Sequence, residues 1–200
     1  MSSTAAPFGL RPIGKLDSGS LDVFRQYPIK SGESTAIVHG EVVQLVNASD
    51  ATTIVKQHLT GDTSTEIDMV GIFLGCRYTD PNSGNLTFSQ TWPASTVASD
   101  AMAYVVDDPN TLFAIQANAS ISNTRDIYGK NSVFVQTAGN TTLGISRVSL
   151  NVSGMSVDPQ NPIKIIDYLG GDLGDEAGTS YPILVCKFNY HQLALTAGAA

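Results

Sequence analysis

Residues 35–46 read TAIVHGEVVQLV, and residues 67–94 read IDMVGIFLGCRYTDPNSGNLTFSQTWPA. Val42, Val43, Leu45 and Val46 form one apolar run, and Val70, Ile72, Phe73 and Leu74 form another. Short runs rich in β-branched and aromatic residues, bounded by turn formers, predict strands. Residues 78–85 (YTDPNSGN) separate the second run from residues 86–92. Asp and Asn there can bond their own backbone, Pro presets φ, and Gly supplies a positive φ. These signals predict a β-hairpin. Gly40, Gly71 and Gly75 interrupt the runs and predict bulges or tight bends.

The strand signal recurs along the chain, at residues 21–29, 53–59, 101–106, 111–116, 132–136, 143–152, 162–169 and 181–188. Pro28 suits the first of these to a sheet edge. Asp107-Asp108-Pro109-Asn110 is the turn between two others. Residues 94–100 predict one helical turn, and residues 120–130 a short helix or loop ended by Gly129. The fold class is therefore all-β, a sandwich or barrel of about nine short, mostly antiparallel strands. Residues 21–200 form one domain with a soft division near 117–131. Residues 1–20 are broken by Pro7, Gly9, Pro12, Gly14 and Gly19, yet carry Phe8, Leu10 and Ile13. That pattern predicts an extended N-terminal arm whose apolar side chains dock on its own domain or on a neighbouring subunit.

Two hundred residues suffice for one buried core. Charged residues make up 14% of the chain, against roughly 25% in soluble domains. Net charge is −7 and the pI is about 4.7, with the 11 Lys and Arg scattered singly along the chain. Phosphate binding needs clustered cations, so a direct nucleic-acid partner is not expected. No apolar run approaches a bilayer's thickness, and the N-terminus lacks a basic stretch leading into an apolar one, so neither a membrane partner nor a secretory signal is expected. Five Asn-x-Ser/Thr sequons, at Asn47, Asn85, Asn118, Asn140 and Asn151, reflect the Ser/Thr-rich composition.

Reactive groups are sparse. Cys76 and Cys186 lie in IFLGCRY and PILVCKF and read as two buried thiols or as one disulfide. There is no CxxC pair, no GxSxG elbow and no GxxxxGK[ST] loop, and His39, His58 and His191 are far apart. The best cation candidate is Asp172, Asp175 and Glu176, three carboxylates in a Gly-rich loop, although the spacing is not that of an EF-hand. A solvated hairpin tip explains them as well, so no metal and no cofactor is expected. Asp107 and Asp108 read as turn residues. Trp92 with Tyr78, Phe88 and Tyr104 reads either as a sugar-stacking platform or as a core cluster, and burial of Trp92 separates the two. No catalytic constellation emerges, and the chain is expected not to be an enzyme.

Five segments carry a resemblance: PFGLRPIGKL (7–16), TAIVHGEVVQL (35–45), VGIFLGCRYTDPNSGNLTFSQTWPA (70–94), AYVVDDPNTLFAIQ (103–116), and ISRVSLNVS with NPIKIIDYL (145–153, 161–169). In phrasing and order the chain resembles structural proteins of tailed bacteriophages, marine ones especially, over about residues 7–191. The resemblance implies a decoration or cement protein on the capsid's outer surface, made in the bacterial host's cytoplasm. Copies seated over junctions between major capsid subunits would take the major capsid protein as partner, and local symmetry axes there make a homo-oligomer natural, a trimer or dimer, with the trimer preferred on geometric grounds. Phe8, Leu10 and Ile13 are then the residues expected to bind the partner, and removing residues 1–20 is expected to weaken binding while leaving the domain folded. The alternatives are another virion role, in tail tube or adaptor, and a host-glycan-binding adhesion module.

Overall fold

The computed structural model describes residues 4–17, 19, 24–46, 52–57, 69–122, 124–170 and 177–194. Fifteen strands occur among them. The first eight are β1 (Arg11–Lys15), β2 (Arg25–Pro28), β3 (Ile37–Val38), β4 (Val42–Leu45), β5 (Ile54–Lys56), β6 (Gly71–Thr79), β7 (Leu86–Ser89) and β8 (Thr91–Trp92). The others are β9 (Met102–Val106), β10 (Thr111–Gln116), β11 (Asn131–Ser132), β12 (Phe134–Val135), β13 (Ser149–Leu150), β14 (Ile163–Tyr168) and β15 (Ile183–Phe188). Ten have three residues or more, close to the nine expected. The described residues contain no α-helix, and one 3₁₀ turn, Thr124–Ile127, lies in the stretch that Gly129 ends.

The strands build two main antiparallel sheets. One has five strands in the order β1-β10-β15-β14-β11; the other has six, β2-β9-β6-β4-β5 with β7 beside β6. The pairs β3–β8 and β12–β13 are small ribbons. The fold is all-β, and its layering is that of a sandwich. The five-stranded sheet takes β1 and β10 from before residues 117–131, β11 from their end, and β14 and β15 from after them.

The predicted hairpin forms between β6 and β7. Asp80 N donates to Asn85 O at 2.9 Å, while the Asp80 carboxylate accepts from Asn82 N at 2.9 Å and from Ser83 Oγ at 3.1 Å. The two apolar runs also meet, Val42 opposite Ile72 and Val43 opposite Gly71. Val42 and Ile72 enter one core with Leu10, Phe113, Ile165 and Phe188, whereas Val43 and Phe73 enter a second with Trp92, Ile37 and Val105. Successive strand residues point to opposite faces. The six-stranded sheet is thus covered on both sides at this end, which explains apolar runs without polar alternation. The β9–β10 turn does not close a hairpin; it carries the chain from one main sheet to the other.

Two other expectations change. Residues 94–100 make no helical turn, because Ser95 N donates to Glu33 O at 2.6 Å and Thr96 O accepts from Gly32 N at 2.8 Å, fastening this stretch to residues 32–33. The strand expected over 143–152 shrinks to β13, because the Asn140 side chain captures Thr142 N and Leu143 N, each at 3.0 Å, and curls the chain into a turn.

The expected arm is, in its described part, built into its own body. β1 pairs with β10, and Leu10, 1% exposed, belongs to the first core. Its backbone threads a gap that glycine makes. Leu10 N donates to Gly40 O at 2.9 Å and Gly9 N to Val148 O at 3.2 Å. A Cβ on Gly9 would lie 2.4 Å from Gly40 O, and both glycines have positive φ, 78° and 88°.

Candidate functional site

The six-stranded sheet is unevenly covered. Beyond the overlap with the five-stranded sheet, the face that carries Ile72 and Val106 continues through Tyr104 and Met102 on β9 and Arg77 on β6. Arg77 lies opposite Phe88 in β7. Phe88 is 67% exposed, Leu86 55% and Phe24 52%, while Tyr104 and Met102 are half-buried. Phe24 meets Tyr104 edge-on, with ring centroids 5.2 Å apart. Apolar side chains gathered on one open sheet face mark an interaction surface; scattered ones do not. Arg77 is the charge in its middle.

A second constellation joins strands of both sheets. Asp107, buried, accepts from Tyr27 Oη at 2.6 Å and faces Arg25 Nη1 at 3.3 Å. Burial, and then the bond to Asp107, push the Tyr27 hydroxyl up to about 12. Asp108 takes Lys15 Nζ at 2.8 Å and Asn110 N at 2.8 Å, and the Lys15 contact is the main reason its carboxyl stays below the usual range. A tyrosine so reluctant to ionise, and carboxylates matched to cations, make a clasp between β1, β2 and the β9–β10 turn. Turn chemistry accounts for Asp108; Asp107 is also an interior hub, which its place in the sequence did not reveal.

Comparison with protein families, with curated proteins and with solved structures finds no match for this chain.

The residues singled out in the sequence fall in different places. Of the three expected partner-binding residues, Leu10 is corrected: it is sealed in the core and cannot reach a partner in this fold. Phe8 is half-buried with the Arg11 guanidinium 4.8 Å above its ring, and Ile13 is 38% exposed at the bulge in β1. Asp172, Asp175, Glu176 and His58 lie outside the described residues. Among the described residues no three His, Cys, Asp or Glu side chains gather as metal ligands would. The aromatic quartet divides. Trp92 is fully buried, edge-on to Tyr78 at 5.1 Å, while Phe88 and Tyr104 face outward, so the sugar platform is not formed. Cys76 and Cys186 are free and buried in different sheets, and burial raises both thiols, Cys76 to about 12.

Sequence reasoning also passed over the Glu41–Lys56 ion pair, Nζ to Oε1 2.6 Å, which is almost wholly buried. The signal was present as a lone acid and a lone base beside apolar strand residues.

His191 fastens the C-terminal segment. Its Nδ1 accepts from Leu193 N at 3.2 Å, and the next residue bonds the chain just ahead of β6, Gln192 N to Met69 O at 2.8 Å, and β4, Leu45 N to Gln192 Oε1 at 3.0 Å. Burial lowers the His191 pKa from 6.5, outweighing the pull of Asp107 and Asp108. The neutral ring is therefore the folded form. Above pH 6.5 folded and unfolded chains are alike at this site; below it the unfolded chain takes a proton that the folded chain refuses until the depressed value is reached. Stability should fall through that window by at most about 1.4 kcal/mol per pH unit. Urea midpoints at a pH above 6.5 and one below it should separate in the native chain and converge in His191→Asn. Equal separation in both would clear His191 of the effect.

Proposed function

We propose that this protein is a non-enzymatic structural component of a tailed-phage particle, a decoration or cement protein that binds the assembled major capsid lattice as a homo-oligomer. The observation that carries the reading is the open apolar face of Phe24, Leu86, Phe88, Met102 and Tyr104, set on a sheet whose opposite side is packed. Such a face suits docking on a second rigid surface, where repeated copies bind in register. A protein that binds only the assembled lattice stabilises it by linkage. The segment-by-segment resemblance to phage structural proteins points the same way, as does an acidic, weakly charged composition that need not face packaged DNA. The docking residues move accordingly, from the N-terminal arm to the sheet face, with Phe8 and Ile13 left as lesser contributors.

A reconstruction of the parent particle, with the copy number of this chain taken from the same preparation, tests the reading. Hundreds of copies ordered on the icosahedral shell are expected. A few copies at one vertex would transfer the protein to the tail or adaptor, and absence from the particle would end the virion reading.

A further inference from the structure

Edge strands with unpaired N–H and C=O groups invite another strand, and proteins that must stay apart blunt them with charge, proline, bulges or cover. The edges of the two main sheets are blunted in this way, with one exception. β2 begins at Arg25 and ends at Pro28. β1 carries Arg11, Pro12 and Lys15, with a register break between Pro12 and Gly14. β5 is bridged by Ile29, with Lys30 N donating to Ile54 O at 3.1 Å. β11 is two residues long and is met by Ser156. β7 has none of these devices. It reads Leu-Thr-Phe-Ser, holds an unbroken four-residue register with β6, and no described segment pairs with its far edge.

We propose that β7 is the contact through which two copies of this chain pair, antiparallel about a two-fold axis that runs perpendicular to the sheet midway between Thr87 of one copy and Thr87 of the other. An isologous contact must be self-complementary, and β7 is. Opposed residues in an antiparallel pair share a face, so this axis sets Leu86 against Phe88 of the second copy and Phe88 against its Leu86. Side chains 55% and 67% exposed in one chain cover each other, and the open edge gains hydrogen-bond partners. The charges agree. Each chain carries −7, so copies repel, but β7 is uncharged, and antiparallel pairing sends the acidic hairpin ends, where Asp100 receives the Thr79 hydroxyl at 2.6 Å and Asp80 begins the turn, to opposite ends of the contact. A single edge pairs two copies, which favours a dimer over the trimer expected from the sequence. The axis also leaves both open apolar faces on one side, a doubled platform.

The inference does not rest on the virion reading, because the isolated protein tests it. Sedimentation equilibrium should give twice the 21.1 kDa chain mass. The double variant Leu86→Lys, Phe88→Lys sets like charges opposite one another at exposed positions. It should keep its circular dichroism spectrum and dissociate about 100-fold more readily. Thr87→Cys should cross-link on mild oxidation, since opposed Cα atoms about 4.5–5.5 Å apart are within disulfide reach. Phe88→Cys, off the axis, should not, and the buried Cys76 and Cys186 do not compete. A native chain that stays monomeric at the highest soluble concentration overturns the proposal, as does a dimer indifferent to the double variant. Monomers whose double variant no longer binds shells would give the edge to a strand of the capsid instead.

Discussion

Lys56→Met should cost about 3–5 kcal/mol of unfolding free energy, and Glu41→Gln a similar amount, because each leaves the other charge buried without its counter-ion. The Glu41 side chain is 1% exposed and that of Lys56 10%, with 2.6 Å between Nζ and Oε1. The second carboxylate oxygen accepts from Val38 N at 3.0 Å, inside the tight turn between β3 and β4. Interior charge is tolerated only when paired and hydrogen-bonded. Removing both members at once, as Glu41→Leu with Lys56→Met, should recover most of the loss. The remainder, about 1–3 kcal/mol, is the unsatisfied Val38 N–H. Urea unfolding of the two single variants and the double variant completes the cycle. Single losses below about 1 kcal/mol would mean that water reaches the pair and that it acts as a surface salt bridge.

Leu10→Ala should cost about 3 kcal/mol, the value for emptying a fully packed leucine site. Removing residues 1–20 should be worse, contrary to the expectation drawn from the arm's composition. It takes away Leu10, the β1–β10 ladder, and the backbone bonds of residues 9 and 10 to Val148 and Gly40. It also takes Lys15 from Asp108 at 2.8 Å. Thermal unfolding separates two kinds of arm. One that serves only a neighbour leaves Tm unchanged when it is cut, whereas one that completes its own core lowers Tm or leaves the remainder unfolded.

The element types were written in local chemistry. Asp80, Pro81, Asn82 and Gly84 make a turn wherever two strands follow one another, and alternation or apolar runs identify those strands without knowledge of their partners. The runs at Val42–Val43 and Ile72–Phe73 were legible as strands, but their burial on both faces was not, because it depends on which core packs against each side of the sheet. Strand shortening at residues 143–152 was not legible, because it turns on where one asparagine side chain points. Phe8, Leu10 and Ile13 show the limit most directly. Their spacing said that the segment is anchored, and nothing local could say to what.

By itself, then, the chain's order of residues determined an all-β body, its hairpin, and a surface poor in charge. The tertiary structure alone decided that Leu10 belongs to the core and that Asp107 meets Tyr27 and Arg25. It alone joined Glu41 to Lys56, covered Trp92, and left Phe88 and the edge of β7 open. The reason is physical. Turns and strand periods arise from interactions within a few residues. Burial, ion pairing and open edges depend on which strands become neighbours, and the paired groups here stand 15 positions apart for Lys56 and Glu41 and 80 for Tyr27 and Asp107.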